Sequence, residues 1–351
     1  MGFLCNNQQR IALSHLAATV LESDCLLFGC MDKSQSKPSM HTMINRIFQN
    51  SFDRSDASIE MRILRQKETY LDLYGKNLSG EVKSFTDRLL KKERQLLTDK
   101  IERLLSAAAF VNRPVSLNNE TMKILAASHE DAFYRTHPAR YIRAVLEEYA
   151  SLDSLARKEI YFRQTIEQLE RHARECAVIE IKYVDNPNRY RLIPAFIRPD
   201  IYRTHLYLAG FSCQEGACRN PISCRIDGIE TIQYIRPGSP SPSFRALEKA
   251  VKEQGIQYLS GQKSHIRIRL SREGISKYRR FTFQRPPFTS IEGAGKDIYV
   301  FDIPEYQAQV YFFKFGRDAV ILEPETLKQD FINRYREALA AYGAPHAMPD
   351  R

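Results

Sequence analysis

Apolar and polar residues alternate along this chain with two different periods. Near its middle, Ala177, Ile179, Ile181 and Tyr183 recur at every second position while Glu180 and Lys182 fall between them, which predicts a strand with the first four on one face. The next strand, Arg189-Tyr-Arg-Leu-Ile-Pro194, sets Arg189 and Arg191 together, opposite Tyr190 and Leu192. A short apolar run follows at Leu206–Leu208, and an arginine-bearing strand, Arg219 to Ile226, closes the group.

Elsewhere the spacing is helical. Cys25–Met31 reads as a short strand or buried turn. Ser39 then caps a predicted helix from Met40 to about Phe52, striped by Met43, Ile44, Ile47 and Phe48. A long amphipathic helix is expected from Glu81 to Ala109, on Val82, Phe85, Leu89, Leu97, Ile101, Leu104 and Ala108. Phe110–Leu117 switches to a strand, and helices follow from Asn119 to about Ser128 and from His137 to Leu152. Asp153 to Glu175 reads as a polar connecting helix, and Arg236-Pro-Gly-Ser-Pro-Ser-Pro-Ser243 as a linker. Beyond it, strand Ser264–Leu270, helix Arg272–Arg280, strand Tyr299–Ile303, helix Glu305–Phe315, strand Ala319–Leu322 and helix Pro324–Tyr342 predict a ferredoxin-like sandwich.

The fold class expected is therefore α+β and multidomain. A mainly helical region covers 1–109, a strand-helix-helix module 110–152, a connecting helix 153–175, and a small sheet 176–236. A linker and helix at 237–263 lead to the C-terminal α+β domain at 264–345. The chain has 351 residues, more than one hydrophobic core usually holds. No stretch is apolar enough to span a membrane, the N-terminus lacks a secretion signal, and a cytoplasmic location follows as the expectation.

Charge changes the picture. The net charge is +10, and between Arg245 and Arg285 eleven lysines and arginines face three glutamates. Interleaving with Tyr258, Tyr278, Phe281 and Phe283 suits phosphates and unstacked bases, so Arg267, Arg269, Lys277, Arg279 and Arg280 are a candidate binding face. The seven cysteines form no CxxC arrangement, which favours reduced thiols; Cys213, Cys218 and Cys224 near His205 fit no standard zinc spacing. No metal or cofactor is expected. The eight histidines are scattered, and no nucleophile elbow, Walker loop, HExxH or activated carboxylate pair is present, so no catalytic residue is assigned and the protein is not expected to be an enzyme.

Two resemblances organise these features. Ala139-Arg-Tyr-Ile-Arg-Ala-Val-Leu-Glu-Glu-Tyr149 behind a strand is similar to the second helix of the ribbon-helix-helix family, whose members pair strands between two chains. That implies a homodimer, with Asn112, Pro114 and Ser116 on the face such ribbons turn to DNA. Pro114 offers no N–H, and Arg113 stands where an apolar residue is expected, so dimerisation comes before base readout. Cys25–Phe52 reads as a degenerate copy of the same plan.

Tyr183, Arg191-Leu-Ile-Pro194, Leu206-Tyr-Leu208, Arg219 and Arg225-Ile226 resemble the WYL domain, an Sm-like small barrel, and Phe313-Lys-Phe-Gly316 with Val320-Ile-Leu-Glu-Pro324 resembles its C-terminal extension. With Phe283-Gln-Arg-Pro286 and Phe315-Gly-Arg-Asp318, the order of parts is similar to WYL accessory proteins of type VI CRISPR loci, which carry RNA-guided RNases. This implies a non-catalytic binder of single-stranded RNA or DNA acting beside such an effector. Arg191, Arg219 and Arg225 would meet phosphates, while Tyr183 and Tyr207 stack bases. Leu206 replaces the family's tryptophan and Ile222 one of its arginines. The alternative is a ligand-sensing transcriptional regulator that grips a palindromic operator.

Overall fold

In the computed structural model the described residues are 7–31, 38–75, 80–106, 110–127, 133–135, 137–184, 186–214, 217–238, 244–259, 261 and 263–343. The chain forms two compact units. The first comprises Met1–Leu169, Tyr183–Asp185 and Ile226–Glu230; the second comprises Glu170–Lys182, Asn186–Arg225 and Thr231–Arg351.

The first unit runs β1 (Gln8–Ser14), α1 (His15–Leu27), α2 (Met40–Ser51), α3 (Ile59–Tyr74), α4 (Gly80–Leu105), β2 (Phe110–Ser116), α5 (Asn119–Ala127), α6 (Pro138–Ser151) and α7 (Ser154–Tyr161). A strand followed by two helices thus occurs twice, with a helical hairpin between the copies. The strands pair with each other, antiparallel, with Gln8 opposite Ser116 and Ser14 opposite Phe110. The pairing expected between two chains is met within one. Ile11, Leu13 and Val115 are buried beneath this ribbon, while Gln8, Arg10, Asn112, Pro114 and Ser116 are exposed. Arg113 sits half-buried because it forms an ion pair with Glu22 of α1.

Helix α6 anchors the unit. Its three- and four-residue spacing buries Tyr141, Ile142, Val145, Leu146 and Tyr149, and Pro138 starts it where no N–H is required. The next residues on its surface are two buried carboxylates. Glu147 accepts hydrogen bonds from the Ser14 N–H and hydroxyl, both at 2.6 Å. Glu148 accepts from the Ser55 hydroxyl and from the N–H groups of Asp56 and Ala57, with Lys100 nearby at 3.4 Å. At the far end the Tyr149 hydroxyl donates to Asp24 at 2.8 Å, and Arg157 donates to the same carboxylate at 2.7 Å. Burial, and then the Asp24 charge, push the Tyr149 phenol above its ordinary value.

Three expectations need correction here. Cys25–Leu27 belongs to α1, which ends when Gly29 takes a left-handed φ of 63°. The Gly29 and Cys30 N–H groups then return to Leu26 and Cys25, closing the helix with a Schellman-type cap. In α4 the buried positions are Thr86, Leu90, Leu97 and Ile101, while Phe85 is exposed. Counting back three turns from Leu97 at 3.6 residues per turn reaches position 86, and position 85 points about 100° away. The polar connector is two helices, α7 and α8 (Arg163–Arg174), broken at Phe162, with Asp153 capping the first through the Ala156 N–H.

The second unit carries β3 (Ala177–Tyr183), β4 (Asn186–Pro199), β5 (Leu206–Gln214), β6 (Ala217–Arg225) and β7 (Ile229–Pro237), although Tyr183, Ile229 and Glu230 are grouped with the first; the strands lie side by side as β6-β5-β4-β3-β7. Ala177 through Ile181 are all buried, so β3 is covered on both faces and does not alternate. A bulge at Ala195 bends β4 across β5. Cys213 is disulfide-bonded, against the expectation of reduced thiols. The predicted linker falls largely on residues 239–243, outside the described residues.

Then follow α9 (Phe244–Gln254) and a 3-10 turn at 256–258. Leu247, Ile256 and Leu259 pack against Ala209 and Phe211 of β5. The C-terminal part is β8 (Lys263–Leu270), α10 (Arg272–Arg280), β9 (Ser290–Glu292), β10 (Ile298–Pro304), α11 (Glu305–Phe312), a 3-10 segment at 313–318, β11 (Ala319–Glu323) and α12 (Glu325–Gly343). Its sheet order is β11-β8-β10-β9. Tyr278, Tyr311, Phe312 and Phe315 pack with Ile266, Ile268 and Phe301 in its core. No helix among the described residues is long and apolar enough to cross a membrane.

Strand β5 passes so close to β4 that a Cβ on Gly210 would run into the Ile193 carbonyl oxygen. Gly210→Ala should cost about 1–3 kcal/mol, because backbone rather than a flexible side chain must give way. Urea denaturation followed by circular dichroism measures it, and an unchanged midpoint would contradict this packing.

Candidate nucleic-acid interface

The turn after α9 is held against β5 by the Leu247, Ile256, Leu259, Ala209 and Phe211 cluster. Just beyond that cluster the same face of the sheet is open. Register places Tyr207 of β5 between Arg225 of β6 and Arg198 of β4. Leu206 and Leu208, of opposite parity, are buried. Tyr207, Ser223 and Arg225 line one wall of a cleft of about 450 Å³, and Gln257, Tyr258, Gly261, Pro304 and Tyr306 line the rest.

Hydrogen bonding in this cleft is incomplete. The Tyr258 side chain is only 4% exposed, yet its hydroxyl has no hydrogen-bond partner, and neither polar atom of the Gln257 carboxamide has one. The amide lies beside the phenol without a bond of ordinary geometry. Burial, with the Tyr202 ring nearby, pushes the Tyr258 phenol above its usual value, so it stays a neutral donor. Unmet buried groups of this kind cost about 1–3 kcal/mol each, which a ligand carrying donors and acceptors recovers.

The remaining sequence-predicted residues lie elsewhere. Arg189 and Arg191 share a face of β4, but both donate to Glu180, at 2.8 and 2.9 Å. Glu180 was expected to face away from the apolar side; instead it is buried, and the two guanidinium groups hold its carboxyl below the usual range. Arg219 lies in β6, and its side chain is outside the described residues. Tyr183 ends β3, half-buried and assigned to the first unit. Both arginines of the basic strand are occupied: Arg267 pairs with Glu292 and Glu323, and Arg269 with Asp297. Register explains the first, since Glu323 of β11 stands directly opposite Arg267. Lys277 bonds Asp318 at 2.6 Å. Arg279 and Arg280 remain exposed on α10; the nearest carboxylate to Arg280 is Glu273 at 3.8 Å, and none among the described residues pairs with Arg279.

Gln257 and Tyr306 carry no sequence signal for this role, and Tyr258 stands out only as one aromatic of the basic segment. Gln257 and Tyr258 become neighbours of Tyr207 because Leu247, Ile256 and Leu259 fold the turn onto the sheet, while Tyr306 comes from α11. No cluster of metal-ligating side chains is present among the described residues.

No family model and no curated protein matches the chain. Among solved structures it is similar to one titled "Crystal structure of a CRISPR Cas-related protein", with a TM-score of 0.71 and 20% identity over 97% of this chain and 95% of the other. That likeness is one of fold. Proteasome accessory factor B/C (PafBC) of Arthrobacter aurescens is matched at a TM-score of 0.26 and 14% identity, over 86% of this chain and 55% of that one, and carries no argument.

The Glu180 clamp makes a pH prediction. Its folded pKa is depressed, so its stabilisation is complete above the ordinary glutamate value of about 4.3 and is lost as pH falls through the lower folded value. Denaturation midpoints of the wild type and of Glu180→Gln should differ at neutral pH and converge in acid. A constant difference across the range would refute the clamp.

Proposed function

We propose that this chain is a non-catalytic protein that binds single-stranded nucleic acid, RNA foremost, through the Tyr207–Arg225 cleft, and that it serves as an accessory to an RNA-guided nuclease. The observation that carries this reading is the cleft's unmet hydrogen bonding. A phenol ring and a guanidinium stand side by side, and a buried hydroxyl and a carboxamide beneath them lack partners. A nucleotide answers each group: its base stacks on Tyr207, its phosphate meets Arg225, and its base edge satisfies Tyr258 and Gln257.

The five-stranded sheet in the order β6-β5-β4-β3-β7 supports taking this part as the Sm-like barrel of a WYL domain. The order β11-β8-β10-β9 likewise supports a ferredoxin-like extension. The fold shared with a CRISPR Cas-related protein supports the accessory role.

Anisotropy titrations with oligo(U) RNA, matched DNA and a duplex test the reading. Tyr207→Ala and Arg225→Ala should each weaken single-strand binding by about 1–3 kcal/mol. The log–log salt slope should fall in magnitude by about 0.7 for each phosphate contact removed. Equal affinity for duplex and single strand, or variants that bind like the wild type, would overturn it.

A second reading rests on the ribbon. Gln8, Arg10, Asn112 and Ser116 project from its exposed face, and Arg10 has no carboxylate partner among the described residues. This donor set suits a DNA major groove in a ribbon-helix-helix manner. Under that reading Arg10→Ala with Asn112→Ala abolishes duplex binding and leaves oligo(U) binding intact, which a gel-shift comparison decides.

A further inference from the structure

The geometry points to a second nucleotide-binding site in the C-terminal part, where Phe288 takes a base and Arg272, Arg279 and Arg280 take the flanking phosphates; it rests on the single-strand reading above. Arg272, Ser276, Arg279 and Arg280 fall on one face of α10, at steps of four, three and one residues, over an open hollow of about 810 Å³ that Glu273 and Ile275 also line. Arg279 also borders a second hollow of about 450 Å³, walled by Tyr278, Arg285, Pro286, Pro287 and Phe288. One guanidinium thus divides a wide cationic basin from a small aromatic and proline-walled one. That is the division between phosphate and base in a nucleotide.

The small hollow is rigidly built. The Tyr278 hydroxyl donates to the Pro286 carbonyl at 2.6 Å, which fixes the proline wall. Gln284 sits in the left-handed region at φ 58°, and the Tyr202 hydroxyl oxygen accepts from the N–H groups of Gln284 and Arg285. The Tyr202 ring also packs on Phe283 at 4.3 Å. This turn sends Arg285 back over the Tyr278 ring, where it donates to the Arg279 carbonyl at 3.2 Å. Phe288 rests edge-on against Tyr299 at 5.4 Å but keeps 45% of its surface exposed.

A cationic last turn merely complementing the helix dipole is the ordinary alternative. Arg285 fits it, because it bonds the Arg279 carbonyl at the end of α10, and Lys277 is taken up by the Asp318 carboxylate and the Phe315 carbonyl. Arg272 and Arg279 do not, since no carboxylate or carbonyl partner of theirs is present among the described residues. Helix α10 is held firmly enough to present them: Gly274 lies so close to the Asp318 carbonyl that no side chain fits, and Ser271 bonds the Asp318 carboxylate at 2.7 Å.

Photocrosslinking of thiouridine-substituted oligo(U) to the whole protein, mapped by mass spectrometry, reads the two sites separately. The expected result is one crosslink in the peptide holding Phe288 and another near Tyr207 or Tyr258. Arg279→Glu should remove the first and leave the second, and Arg225→Ala should do the reverse. Phe288→Ala should weaken binding about tenfold and Phe288→Tyr should restore it, because one stacked base is worth about that much. Arg279→Ala should lower the salt slope by about 0.7, a change that a purely structural role would not produce. Crosslinks confined to Tyr207 and Tyr258 would overturn this site and leave the barrel cleft standing; crosslinks at neither would overturn both.

Discussion

Two adjacent buried carboxylates on α6 hold the first unit together. Glu147 takes both donors of Ser14, the residue that ends β1 and caps α1. Glu148 takes the donors of the turn from Ser55 to Ala57, which leads into the helical hairpin of α3 and α4. An acid deprived of these partners would be an uncompensated buried charge, and the donors would be orphans, so each side enforces the other. The ribbon, its helices and the inserted hairpin are therefore positioned by one helix. The apolar stripe of α6 supplies the driving force, and its acids supply the register.

The second unit separates cations that are occupied from cations that are available. A lysine or arginine count treats Arg189, Arg191, Arg267 and Arg269 as equal to Arg272 and Arg279. The structure sorts them by their neighbours. The first four are tied to Glu180, Glu292, Glu323 and Asp297, and their fields are largely cancelled close to the surface. In contrast, the cleft at Tyr207 and the α10 face combine guanidinium groups with aromatic rings and, in the cleft, with polar atoms lacking partners.

Much of the secondary structure was legible because local rules govern it. Ser39 caps its helix as expected, and α10 begins and ends at Arg272 and Arg280 as expected. The stripe of α6 was readable for the same reason. Strand β1 was missed, since seven residues with an irregular pattern are recognisable only through their pairing to β2, about a hundred positions away. The candidate site divides in the same way. Tyr207 and Arg225 belong to one sheet face by simple parity, whereas Gln257 and Tyr258 join them through tertiary packing. The pairing of Arg189 and Arg191 with Glu180 was also hidden: period-2 alternation assigned Glu180 to a wet face, but β3 has no wet face there.

The internal ribbon has a consequence for symmetry. When two identical chains supply the strands, both halves carry the same side chains, and whatever the ribbon touches must repeat itself about a dyad. Here Gln8, Arg10 and Ala12 lie on one strand and Ser116, Pro114 and Asn112 face them from the other. The two halves are chemically unlike, with a guanidinium opposite a proline ring. A partner for this surface is released from inverted repetition, and each strand is free to vary without changing the other.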